Sequence, residues 1–294
     1  MINRVDLRAA WQSKRATGFL LFNILYGWVF AAHFAHFSRF ALEQDFSPHF
    51  SLILLVSVYL MYLDREELSM RAEYGAPAGI LLILAGGLCY VSGLKWLPAL
   101  SPQDTLTLTT FGVVIVWIGG FVTFFGLAAA RIALFPLGFL AFVPPLPEAV
   151  LSSVITALQY ASADVVAFLF WFTPVQVVRD GLFFTLPGFT IEVAKECSSI
   201  RSSMALLIAC VLANHLLLRR WWSKAIVLLL VFPLAIFKNG VRIVTLCLLT
   251  LYVDKGFMEG SLHTKGGATF FGLALVMLVP VYWGFRTLEA RRAD

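Results

Sequence analysis

The sequence predicts an all-α, polytopic transmembrane helical bundle of about eight crossings, with both termini on the inner side and non-spanning segments on the outer face. Three observations predict it. The chain of 294 residues is 60% apolar and 13% charged, with a mean hydropathy of +0.85, whereas a soluble domain runs nearer half apolar and a quarter charged. The apolar residues fall in blocks long enough to cross a bilayer, roughly 15 to 25 residues each. Lys and Arg gather at the ends of those blocks. No stretch is left for a separate soluble domain, so residues 1–294 read as one integral-membrane domain. The net charge of +5 sits at helix ends, so it reports orientation in the membrane and not nucleic-acid binding.

The elements follow in order. Arg4, Arg8, Lys14 and Arg15 precede the first apolar run. No small-residue cleavage site closes that run, so residues 17–37 read as an uncleaved first helix. The second, third and fourth crossings are 50–63, 75–97 and 105–127. A shorter fifth lies between Arg131 and Leu146 and runs into Pro144, Pro145 and Pro147. Residues 148–172 are less apolar and carry Ser152, Ser153, Thr156, Gln159, Ser162 and Asp164, as a non-spanning segment should. The sixth crossing runs from about Ser202 to Arg219, the seventh starts near Lys224, and the last covers 267–285.

Every basic cluster is then cytoplasmic on two conditions. Residues 148–172 must not cross, and 241–253 must return to the outer side. Three loops face outward: 175–201, 238–242 and 255–265. They hold Cys197, Arg242 and His263 on one side of the membrane.

Cys89, Cys210 and Cys247 sit inside apolar runs and read as small buried hydrophobes. Neither a CxxC nor a Cys/His pair has metal-ligand spacing, so neither a metal nor a cofactor is expected. Cys197 is the one cysteine in a polar setting, Ile191-Glu-Val-Ala-Lys-Glu-Cys-Ser-Ser-Ile-Arg-Ser-Ser. An apolar block starts just after it, and the positive end of a helix favours a thiolate. Lys195 and Arg201 push the same way, Glu192 and Glu196 the other. A thiolate is a competent nucleophile for acyl transfer. Arg242, in Phe237-Lys-Asn-Gly-Val-Arg-Ile, interrupts an apolar run, where an arginine needs a partner or a water-filled site. It suits a substrate carboxylate, the oxyanion of a tetrahedral intermediate, or simple snorkelling. His263, in Gly260-Ser-Leu-His-Thr-Lys-Gly-Gly, precedes the last crossing and suits a general acid or base. His33 and His36 share a helix face without a third ligand and read as packing; His49 and His215 read as interfacial.

Nucleophile, cation and proton shuttle on one face outline cysteine acyl transfer. The same residues also fit a small transporter, with Arg242 and Asp164 lining a path, although no inverted repeat is visible. A third reading is a membrane scaffold for an envelope or polysaccharide system, in which none of the three residues acts.

From the first helix to the last, the chain resembles the exosortase/archaeosortase family. Val193-Ala-Lys-Glu-Cys197-Ser-Ser-Ile-Arg-Ser is similar to its nucleophile block, Asn239-Gly-Val-Arg242 to its Asn-x-x-Arg block, and His263 to its histidine. Asp45-Phe-Ser-Pro-His49, Pro144-Pro-Leu-Pro147 and Leu186-Pro-Gly188 are softer echoes. Ser199 stands where the family usually has Gly, a position that favours close backbone approach. The resemblance implies a Cys-Arg-His transpeptidase of the inner membrane with its site facing outward. Its partners would be exported proteins with C-terminal sorting signals resembling PEP-CTERM tails: a motif, a transmembrane helix and a basic tail. Carried over, Cys197 attacks the scissile carbonyl, His263 shuttles the proton, and Arg242 stabilises the oxyanion or orients the thiolate. Asn239, Arg201 and Ser198 support them. The acceptor would be a membrane lipid or glycan amine, or water.

Overall fold

The computed structural model describes residues 4–43, 47–96, 100–194, 200–258 and 267–291. The chain forms two compact units, Met1–Glu148 and Ala149–Asp294.

The first unit contains α1 (Arg4–Val29), α2 (Ala31–Glu43), α3 (Ser47–Leu63), α4 (Arg65–Met70), α5 (Ala76–Val91), α6 (Pro102–Ile132) and α7 (Leu134–Phe139). A π-helical turn, Ser92–Trp96, extends α5. The expected first crossing is bent: Lys14–Val29 and Ala31–Leu42 meet at 66°. Ser101 caps α6, its hydroxyl accepting from the Asp104 N–H at 3.1 Å, and Pro102 fills the first turn where no N–H is needed.

α5 and α6 pack backbone to backbone. Gly79 and Gly86 face Gly119 and Gly112, and both pairs are seven residues apart, two helical turns. A Cβ at Gly86 would lie 2.7 Å from the Gly112 carbonyl oxygen, and one at Gly119 2.8 Å from that of Gly79. In lipid, helices associate through such close contact and not through the hydrophobic effect. Gly126, at φ +82°, breaks the regular course of α6. The carbonyls freed there are used: Glu73 N donates to Phe125 O at 3.0 Å and Gly75 N to Thr123 O at 3.2 Å.

The expected fifth crossing is not a continuous helix. Residues 131–146 break into α7, a 3-10 turn (Leu140–Phe142) and an extended proline-rich end. That end is tied to the start of α6: Gln103 Nε2 donates to Leu146 O at 2.8 Å, and the Glu148 N–H to Asp104 Oδ1 at 2.7 Å.

The second unit holds α8 (Glu148–Phe170, from Ala149), β1 (Val178–Asp180), β2 (Phe183–Leu186), β3 (Phe189–Glu192), α9 (Ile200–Leu217), α10 (Trp221–Tyr252) and α11 (Gly267–Arg291). The expected all-α class holds, with a small antiparallel sheet, ordered β1-β2-β3, set among the helices. Its turns follow the sequence. Asp180 pairs with Phe183 around Gly181 at φ +58°, and Leu186 pairs with Phe189 around Pro187-Gly188, with Gly188 at φ +96°. Glycine at these positive-φ positions and proline before the second are what such turns demand.

Two cores organise this unit. In one, Val166 and Phe170 of α8, Phe184 and Ile191 of the sheet, and Val244 and Cys247 of α10 close together. In the other, Cys210 of α9, Val231 of α10 and Ala274 and Tyr282 of α11 pack. Tyr282 Oη donates to Cys210 O and Asn214 Oδ1 at 3.1 and 3.0 Å. The Glu289 carboxylate accepts from Arg219 N and Arg220 N at 2.9 and 3.0 Å, where α10 begins. A negative charge at a helix N-terminus is favourable.

Five helices are long and apolar enough to cross a membrane, six counting the bent pair; Phe50–Leu63 and Ser202–Leu217 are shorter apolar helices. One of the five is α8, whose polarity had marked it as non-spanning. Four of its polar side chains are bonded within the protein: the Ser152 and Ser153 hydroxyls donate to Ala149 O, and Gln159 and Ser162 are buried and bonded. The expected loop at 238–242 does not form. Instead α10 runs unbroken through Gly240, which lies flush on α8. A Cβ there would meet Val165 Cγ1 at 2.4 Å.

Candidate active site

The site begins with one turn of α10. Lys238 and Asn239 are each 1% exposed, and Arg242 is half-buried. Three- and four-residue spacings bring these side chains to neighbouring positions on the helix. The turn is anchored on two sides. Asn239 Nδ2 donates to the hydroxyl of Ser162, a fully buried residue of α8, at 3.0 Å. Lys238 Nζ donates to the hydroxyl of Ser202 in the first turn of α9. Gly240 adds the close backbone approach to α8. A buried polar group is costly unless bonded, and here each anchor answers that cost with a side chain from another helix.

The segment leading to Cys197 is anchored to the same part of α8. Gln159, one turn before Ser162, donates from Nε2 to Val193 O at 2.8 Å, and the Val193 N–H donates to Leu182 O at 2.9 Å. Val193 is itself 1% exposed. The described chain pauses after Ala194 and resumes with Ile200, three residues either side of Cys197. One face of α8 thus carries both the approach to the cysteine and the anchor of the arginine turn.

Cys197, Ser198 and His263 lie outside the described residues, as does Ser199. Arg201 lies in the first turn of α9, and its side chain is outside the described set. Of the expected site, the structure therefore brings together Asn239 and Arg242, on a helix body and not in a loop. Lys238, Ser162, Gln159 and Ser202 were not expected as partners. Their residue types were visible, but their pairings span 77, 34 and 36 residues, and no local spacing marks such distant contacts. Asp164 does not pair with Arg242: its carboxylate meets Arg179 at 2.8 Å, at the edge of the sheet. That removes one wall of the transporter path. Among the described residues, no three His, Cys, Asp or Glu side chains converge as a metal ion would require. Cys210 and Cys247 are buried in the two cores, and the Cys89 thiol faces the Leu108 carbonyl at 3.5 Å.

The class this fold and site define is a polytopic helical membrane protein with a buried polar turn inside its second unit. Trp28, Leu55, Leu84, Leu229 and Val276 are each more than half exposed along apolar helices, a surface suited to lipid. The family is then given by comparison: the model of the family described as Transmembrane exosortase (Exosortase_EpsH) matches residues 41–280. The chain belongs to the transmembrane exosortase family. Members of that family are cysteine-dependent sorting transpeptidases of membranes, acting on exported proteins with C-terminal signals. No curated protein and no solved structure matches the chain.

Proposed function

We propose that the chain, residues 1–294 acting as one integral-membrane domain, cleaves C-terminal sorting signals of exported proteins at the outer face of the inner membrane. Cys197 is the nucleophile. Its thiolate adds to the scissile carbonyl, and the developing oxyanion is stabilised by Arg242. Collapse breaks the C–N bond, leaving a thioester on Cys197, and His263 delivers the proton to the departing amine. A lipid or glycan amine, or water, then adds to the thioester, gives its proton to His263 and releases the Cys197 thiolate. Asn239 holds the arginine turn; Arg201 and Ser198 flank the nucleophile.

The observation that carries this reading is the buried arginine turn, tied to α9 and to the same face of α8 that anchors the approach to Cys197. Soluble enzymes reach similar roles on unrelated folds.

The orientation is N-in and C-in. It leaves Arg65 and Arg71, Arg219 and Arg220, and Arg286 and Arg291 inside. In this orientation the return of Leu146 to Gln103 brings the chain back to the outer side before α8. α8 then ends on the side where it began, and 131–147 makes the fifth crossing by combining short helical turns with extended chain.

The test is processing, in cells, of a reporter ending in a C-terminal segment (short motif, apolar helix, basic tail) taken from a protein of the same genome. Wild type should shorten the reporter. Cys197→Ala and Cys197→Ser, present in the membrane at normal levels, should leave it full length. Normal processing by either variant ends the thiol mechanism and returns Arg242 to the transporter reading.

A further inference from the structure

The first unit holds a cavity of about 350 Å³ that the acyl-transfer reading leaves unused. Both limbs of the bent pair α1–α2 line it, together with α3 and α6. Its walls are mostly apolar, with Phe34, Phe37, Phe50, Leu54 and Val113 among them. Of its lining residues, Phe34, Leu42 and Leu54 are 37%, 68% and 50% exposed. The cavity therefore opens sideways, onto the apolar surface that the helices turn to lipid.

The polar groups along this wall are engaged, with one exception. Tyr26 Oη donates to Val113 O at 3.1 Å, the Ser38 hydroxyl donates to Phe34 O at 2.7 Å, and Ser51 has a partner. His33 is 6% exposed, and its ring is held edge-on by Tyr90 at 5.7 Å and stacked by Phe37 at 6.4 Å. Its Nε2 meets the Thr110 hydroxyl at 3.2 Å. Thr107, Thr109 and Thr123 of α6 give their hydroxyl protons to carbonyls of the preceding turn. Buried Thr110 turns to the ring instead, so its proton goes to Nε2. Nδ1 is then left carrying the ring proton. It has no bond among the described residues, and it is not sealed off from the cavity that His33 lines.

One N–H donor in an apolar, laterally open cavity suits an apolar chain that carries an acceptor. One turn of α-helix, about 10 Å across and 5.4 Å high, fills roughly 420 Å³. A helical segment of a partner is too large for this space, and a single hydrocarbon chain is not. Thr110 lies within the first three turns of α6, near a helix end and so near the polar boundary of the bilayer. That is the depth at which lipid ester carbonyls sit. We propose that this cavity is a binding site for one membrane glycerophospholipid: an acyl chain lies between α2, α3 and α6, and its ester carbonyl accepts from His33 Nδ1. The site is independent of the chemistry of the second unit.

The experiment uses the full chain in phosphatidylethanolamine vesicles doped with a phosphatidylethanolamine that carries a diazirine at the middle of one acyl chain. After irradiation, labelled peptides are located by mass spectrometry. Label should fall on α2, α3 and α6 around the cavity, several-fold above peptides holding the lipid-facing residues Leu84 and Leu229. In a matrix of the dialkyl ether lipid, which lacks the carbonyl, the ester probe should label the cavity about fivefold more than in a diester matrix. His33→Phe keeps a ring but no donor, and should abolish that difference. Ala41→Trp fills the cavity and should cut the label there several-fold; His33→Phe decides the matter if Ala41→Trp does not accumulate. Label spread evenly over the apolar helices, or unchanged in folded Ala41→Trp, would make this lipid part of the ordinary solvating layer and overturn the proposal. Equal labelling in ester and ether matrices by wild type also overturns it, because the carbonyl contact is then absent. Cross-links at these residues to a second copy of the chain would assign the cavity to self-association and overturn it as well.

Discussion

At the scale of the residue, the site depends on neutral partners that hold ionic or amide groups where water is scarce. Ser162 shows this most simply. Its hydroxyl accepts from Asn239, and both residues are buried. Ser162→Ala should remove the hydroxyl that accepts from the Asn239 amide, at a cost of about 1 kcal/mol. Thermal unfolding in detergent micelles would read this as a lowered midpoint, and processing should fall with it because the arginine turn loses its hold on α8. An unchanged midpoint would mean that Asn239 has another acceptor of equal strength. Gln159 belongs to the same logic, since it fixes the main chain at Val193, four residues before Cys197. Polar residues at these positions resemble signs of a non-spanning segment. In the structure they are the means by which α8 carries the site.

At the scale of the element, the close pair α5 and α6 is built on the absence of side chains. Gly86→Leu would drive a branched side chain into the Gly112 carbonyl, 2.7 Å from the first added carbon. Overpacking of this kind costs about 1–3 kcal/mol where the backbone can yield, and here the obstructing atoms are backbone. The expected outcome is a lowered unfolding midpoint and reduced membrane accumulation, whereas Gly87→Leu, where a Cβ meets nothing within 4 Å, should be tolerated. Gly126→Ala tests a different cost. The left-handed φ of +82° and the Glu73 carbonyl 2.5 Å from an added Cβ together should destabilise by about 1–2 kcal/mol from the backbone term alone. The seven-residue spacing of these glycines is visible in the sequence; which helix they face is not. The turns of the sheet were equally visible, as Asp180-Gly181 and Pro187-Gly188, yet a short sheet inside a hydrophobic chain is outweighed by the helical pattern around it.

At the scale of the whole molecule, orientation is the open variable, and single-cysteine labelling reads it. In a background lacking the native cysteines, Asp180→Cys in the exposed β1 strand should react with a membrane-impermeant maleimide in intact cells. Trp221→Cys, 80% exposed at the start of α10, should react only after permeabilisation. The reverse pattern would place the site inside and remove the sorting of exported proteins from consideration. Equal labelling of both in intact cells would put residues 180 and 221 on one side, so that α9 does not cross, and would break the rule that keeps Arg219 and Arg220 inside.

What the sequence determined by itself was the membrane class, the succession of apolar segments, and the residue types able to do cysteine acyl transfer. These follow from local quantities: hydropathy over a span, charge at its ends, and short motifs. The tertiary structure decided the rest. It made α10 continuous through Asn239-Gly240, where parity of the crossings had placed a loop, and set Gly240 close against Val165 of α8. It broke 131–146 into short helical turns that end in the extended run Pro144-Pro145-Leu146-Pro147, where successive prolines lack the N–H groups a helix needs. It also joined Lys238 to Ser202 and Asn239 to Ser162 across dozens of residues. A buried charge or amide takes its partner from whatever helix lies beside it, and that neighbour is set by packing and not by sequence distance.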